Sequence, residues 1–144
     1  MIDCVDASYR SSLALRNDAS ELPRMTEWIV GASKAAGISD KTSFALQLCL
    51  EEAVANIMEH SRGDAGARQI VASIVREASD IVLTVDDDGA AFDPTQLSAA
   101  DRGHTLDDTP VGGLGIPLMR KFANDIKYRR KDGGNQLRLT FAVA

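Results

Sequence analysis

The chain has 144 residues, 44% of them apolar and 26% charged, with 21 acidic against 16 basic side chains and a formal net charge of -5. This length can bury one hydrophobic core without staples, so a single domain spanning residues 1–144 is expected. The acidic balance argues against direct nucleic-acid binding, and no apolar stretch approaches the roughly 18 residues of a membrane span.

Cys4 and Cys49 stand apart, with no partner at disulfide or zinc-ligand spacing. The N-terminus lacks the basic and apolar regions of a signal peptide. A soluble, reduced, cytoplasmic protein is the expectation.

Tyr9 to Arg16 alternates as a strand, with Tyr9, Ser11, Leu13 and Leu15 on one face. Asn17, Asp18 and Ser20 supply turn and N-cap chemistry. Leu22, Met25, Ile29, Ala32 and Ala36 then recur at helical spacing, and Gly37 is a C-terminal stop. Ser39 can cap a second helix running to about Arg62, with Leu46, Leu50, Ala53 and Ile57 as its apolar stripe.

Two strands follow, about Gln69 to Arg76 and Ile81 to Asp87, read as an antiparallel hairpin across Glu77, Ala78, Ser79 and Asp80. No period is sustained from about residue 90 to 112. A loop of that length inside a compact domain is usually functional, often a lid. Gly113, Gly115 and Pro117 open a third helix with Met119, Phe122 and Ala123 inward. A closing hairpin, Ile126 to Arg130 and Gln136 to Val143, is joined by Asp132, Gly133, Gly134 and Asn135. Its basic residues Lys127, Arg129, Arg130 and Lys131 read as a solvated rim. The element order gives an α+β class: an antiparallel or mixed sheet covered on one face by about three helices.

Three stretches can carry chemistry. In VDDDGAAFDP, strand parity puts Asp87 on the buried face of Ile81, Leu83 and Val85, while Asp86 and Asp88 point the other way. A buried carboxylate needs a donor, and a nucleobase amine would serve. Gly89 lets a flat ligand approach closely. Taken alone, the triplet reads as a solvated turn.

In CLEEAVANIMEH, Glu52 and Asn56 share a helix face away from the apolar stripe, with His60 continuing that side. That placement is the wet side of an amphipathic helix, or a carboxylate base beside an amide oxygen able to hold Mg²⁺. In VGGLGIPLMRKF, glycines before a helix offer N–H groups to phosphate, although neither a P-loop nor a dinucleotide fingerprint is present. Taken in order, the three meet the separate requirements of an ATP·Mg²⁺ site.

In that order the sequence resembles a GHKL (Bergerat-fold) ATP-binding domain, and within that group the anti-sigma-factor serine/threonine kinases of bacterial partner switching. EAVAN, Glu52 to Asn56, is similar to the family's N box, DDGAAFDP to its adenine box, GGLGI to its second glycine box, and YRRKDGGNQLRLTF to its closing hairpin. The resemblance implies Glu52 as general base, Asn56 as Mg²⁺ ligand, and Asp87 and Gly89 at the adenine. It places Gly113, Leu114, Gly115 and Ile116 at the phosphates of ATP or ADP, under a lid at about residues 90–112.

It further implies a STAS-domain antagonist as phosphoacceptor, a sigma factor or other target as the sequestered partner, and a homodimer. Two departures stand out. Ala91 replaces the second glycine of the adenine box, and Glu51 adds a charge beside the base. Retention of Glu52 and Asn56 favours a kinase over a nucleotide-gated binding module without activity. A histidine kinase catalytic domain would need its phosphoacceptor helices supplied in trans.

Overall fold

The computed structural model describes residues 8–60, 66–96 and 115–143. Strand β1 (Tyr9–Arg16) leads through a 3-10 turn into α1 (Leu22–Ala35) and α2 (Asp40–His60). Strands β2 (Gln69–Glu77) and β3 (Asp80–Asp87) follow, then α3 (Gly115–Phe122), β4 (Asp125–Lys131) and β5 (Gly134–Ala142). The five strands form one sheet in the order β1-β2-β3-β5-β4, and every neighbouring pair is antiparallel. The fold is thus the expected α+β sandwich, with no parallel pairing among the described strands.

Side-chain alternation decides which face of the sheet is covered. Ile70, Ala72 and Ile74 of β2, Ile81, Leu83 and Val85 of β3, and Leu137, Leu139 and Phe141 of β5 are all buried. They meet Met25 and Ile29 of α1, Leu46, Leu50, Ala53 and Ile57 of α2, and Met119 of α3 in one continuous core. Leu46 and Leu50 are wholly buried, so truncating either to alanine should cost about 2–5 kcal/mol.

The chain's local signals work largely as read. Asp18 accepts from the Ser20 N–H at 3.0 Å, and Ser39 Oγ accepts from the Thr42 N–H at 3.3 Å. Gly37 stops α1 at φ +69°, a conformation costly to residues with a Cβ. Arg76 reaches from β2 to donate to the Ala36 and Gly37 carbonyls at 2.6 and 3.1 Å, covering acceptors that the helix leaves over.

Both hairpins are tighter than their sequences suggest. The β2–β3 turn is only Ala78–Ser79, and the β4–β5 turn only Asp132–Gly133. Asp132 and Gly133 both sit at positive φ, +50° and +78°, as a type I′ turn requires. Gly134 and Asn135, expected in that turn, therefore belong to β5. Among the described residues, no helix is long and apolar enough to cross a membrane.

Candidate functional site

The site forms where α2, the end of β3 and the β4–β5 hairpin converge. A cleft lies there, lined by Ala53, Asn56 and Ile57 of α2, Val85 and Asp87 of β3, and Phe92 and Pro94 beyond it. Tyr128, Asn135 and Leu137 of the hairpin complete the lining. Its walls are mainly apolar, with a few convergent polar groups, the usual character of a small-molecule site.

Asn56 is 2% exposed, so it is not on a wet helix face. The reason is the position of α2, which packs against α1, α3 and β3 at once. A central helix is enclosed around most of its circumference, beyond its apolar stripe. Asn56 Nδ2 and Glu52 Oε2 are both buried without a hydrogen-bond partner among the described residues. Unpaired buried polar atoms are costly, and two of them lie one turn apart on α2 here.

Burial, and secondarily the neighbouring charge of Glu51, pushes the Glu52 carboxyl above its ordinary range. Glu51 itself faces α1, where Thr26 Oγ1 donates to it at 3.5 Å. Cys49, one turn before Glu52, is fully buried, and burial with the Glu52 charge pushes its thiol up to about 12. It is therefore an inert core residue.

The three carboxylates ending β3 take separate roles. Asp86 accepts from Gln136 Nε2 at 2.9 Å on the uncovered face of the sheet. Asp88 accepts from the Gln69 and Arg68 N–H groups at 3.1 and 2.7 Å, which together lower its pKa. Asp87, which lines the cleft, accepts at Oδ1 from the Gly89 N–H at 2.8 Å and from Asn135 Nδ2 at 3.0 Å. Among the described residues nothing donates to its second oxygen. Strand parity thus separated Asp87 correctly, whereas Asp86 and Asp88 are bonded rather than merely solvated.

Gly89 is buried beside the cleft-lining residues. Ala91 is exposed, and it is not among the described non-glycine residues at positive φ, which are Ala78 and Asp132. The backbone there makes no demand for glycine. His60 stacks on Phe92 with ring centroids 4.8 Å apart, bringing the end of α2 to the cleft wall. Gly115 opens α3, with Ile116 next in the helix. Gly113, Leu114 and the stretch from residue 97 to 112 lie outside the described residues.

Sequence reading missed Asn135 because a four-residue turn put it outside the sheet. The signal was present: Asp-Gly favours a two-residue turn, and that shorter turn puts Asn135 opposite Asp87 in the β3–β5 register. Among the described residues no cluster of three or more His, Cys, Asp or Glu could hold a metal ion. A cation held through Asn56 would therefore need phosphate oxygens as well, the usual situation for Mg²⁺.

The chain matches the model of the histidine kinase-like ATPase domain over residues 15–141. It is 37% identical to the serine/threonine-protein kinase BtrW of Bordetella bronchiseptica, covering 93% of this chain and 94% of that protein. It is 24% identical to the serine-protein kinase RsbW of Listeria monocytogenes over 78% of this chain and 79% of that protein. Among solved structures, the histidine kinase domain of the blue-light activated histidine kinase of Erythrobacter litoralis aligns with a TM-score of 0.48 at 16% identity. That alignment covers 90% of this chain and 62% of the other, less than two thirds of its length. The chain belongs to the histidine kinase-like ATPase domain family.

Proposed function

We propose that this protein is an ATP-dependent serine/threonine-protein kinase of bacterial partner switching, with the cleft above Asp87 as its nucleotide site. The reading is supported above all by the carboxylate of Glu52. It is buried at one oxygen, unpaired and raised in pKa, one turn before the cleft-lining Asn56. Burial raises the basicity of the carboxylate, which suits a general base. The two kinases of the family that the chain resembles point the same way.

In this reading Asp87 accepts a hydrogen bond from the adenine amine at its unoccupied oxygen. The N–H groups of Gly113, Leu114, Gly115 and Ile116 hold phosphate at the start of α3, and Gly89 allows the base close approach. The amide oxygen of Asn56 holds Mg²⁺, which when bound neutralises charge between the phosphates. Glu52 orients an acceptor hydroxyl and takes its proton. The hydroxyl oxygen forms a bond to the γ-phosphorus as the bond to the β-phosphate oxygen breaks, leaving a phosphoester and ADP.

The acceptor is a serine or threonine of a STAS-domain antagonist, and the sequestered partner is a sigma factor or another regulator. The kinase acts as a homodimer in the cytoplasm, with no direct nucleic-acid contact. Incubation with γ-labelled ATP, Mg²⁺ and the cognate STAS protein should place label on a serine or threonine of that partner. A partner that stays unlabelled, although the kinase binds both it and ATP, would leave only nucleotide-gated binding.

A further inference from the structure

Asn135 is 6% exposed and lines the cleft, yet its hydrogen-bonding capacity is fully used within the protein. Its Nδ2 carries two hydrogens, donated to Asp87 Oδ1 at 3.0 Å and to the Ala90 carbonyl at 2.8 Å. Its Oδ1 accepts from the Phe92 N–H at 3.1 Å, from the Tyr128 hydroxyl, and from Arg130 Nη1 at 3.4 Å. Three donors on one end and two acceptors on the other fix which way the amide faces. Nothing of it remains for a ligand.

The same hairpin grips the segment a second time. Arg130 Nη1 donates to the Gly89 carbonyl at 2.6 Å. Gly134 approaches so closely that a Cβ there would lie 2.1 Å from the Asp87 carbonyl oxygen. Residues 87 to 92 are thus tied to the hairpin at Asp87, Gly89, Ala90 and Phe92, mostly through one amide.

We propose that Asn135 is the positioning residue for base selection. With the Gly89 N–H, which donates to the same Oδ1 at 2.8 Å, the Asn135 amide fixes the carboxylate from the hairpin side, so that its other oxygen meets the ligand as an acceptor. A purine with an exocyclic amine at its six-position can donate to that oxygen. A purine with a carbonyl there cannot, and the two acceptors repel. The selectivity resides in Asp87, but Asn135 sets its aim. This inference rests on the cleft being the nucleotide site.

The test compares calorimetric affinities for ADP and IDP, which differ at that position of the base. Wild type should prefer ADP by about tenfold or more, the scale of one hydrogen bond to a charged group. Asn135→Leu should lose most of that preference, and adding it to Asp87→Asn should change the ratio no further. Asn135→Asp, equal in size but unable when ionised to donate, carries the same test should the leucine variant not melt cooperatively.

A ratio unchanged in both Asn135 variants, with Asp87→Asn abolishing it, overturns the role of Asn135 alone. Equal affinity of wild type for ADP and IDP overturns base selection by Asp87 and this proposal with it, whereas no binding of either overturns the nucleotide reading beneath it. Additive losses in the double variant would mean that Asn135 acts independently of Asp87, which also contradicts the proposal.

Discussion

Glu52 precedes Asn56 by one turn of α2, and each leaves a buried polar atom, Oε2 and Nδ2, without a partner among the described residues. Side chains four apart on a helix are neighbours, so the two costs are concentrated in one place. Such a concentration is expected where a fold gives up stability for a site.

The first prediction follows from the raised pKa of Glu52. A carboxyl whose folded pKa lies above its unfolded value destabilises the fold once ionised. The cost is absent below about pH 4.3, where both states are protonated, and is complete above the raised folded value. Glu52→Gln should therefore melt with wild type at low pH and at a higher temperature than wild type at pH 7–8. Calorimetric melting of both proteins across pH checks this, and a glutamine variant less stable at pH 8 would contradict it.

Asp87 and Asp88 should separate binding from stability. Asp87→Asn spoils a charged acceptor in the cleft and should weaken ATP affinity by about 1–3 kcal/mol. Asp88→Ala instead leaves the Arg68 and Gln69 N–H groups without their acceptor. It should lower the melting temperature, with nucleotide affinity within about twofold of wild type, as expected of a residue outside the site. Isothermal titration of both variants distinguishes the roles.

Acid stability should depend on Glu21. Hydrogen bonds from Arg24, then from the Arg16 N–H, hold this carboxyl down at about 2, and it ties the end of β1 to the start of α1. Because its folded pKa is depressed, its contribution is present above about pH 4.3 and is lost as pH falls towards 2. Glu21→Gln should melt below wild type at pH 7, and the two melting temperatures should converge near pH 2.

Gly134→Ala should be disruptive out of proportion to one methyl group. The added Cβ would meet the Asp87 carbonyl oxygen at 2.1 Å, and backbone cannot move aside as a flexible side chain does. Destabilisation of about 1–3 kcal/mol is expected for such overpacking, with weaker ATP binding because the Asp87 end of β3 shifts. A neutral variant would show that the β3–β5 strand end yields without cost.

Most of the architecture was legible in the sequence because local periods and packing agree. The alternation of Tyr9 to Arg16 matches β1, and the stripe Leu46, Leu50, Ala53, Ile57 is the buried face of α2. Asp87 was legible for the same reason, since side-chain parity is fixed by the strand. Asn56 was not, because its burial depends on which elements flank α2, and no periodicity in the helix records that. Asn135 was hidden by turn length: two residues of difference moved it from a loop to the strand opposite Asp87.

The most direct test of the central claim is single-turnover transfer from γ-labelled ATP·Mg²⁺ to the cognate STAS protein, comparing wild type with Glu52→Ala. Nucleotide affinity is measured on the same samples. Retained ATP affinity with transfer reduced by about 10²-fold or more, the scale of a general base, is the expected result. Equal transfer by the two proteins would contradict the assignment of Glu52 and with it the proposed mechanism.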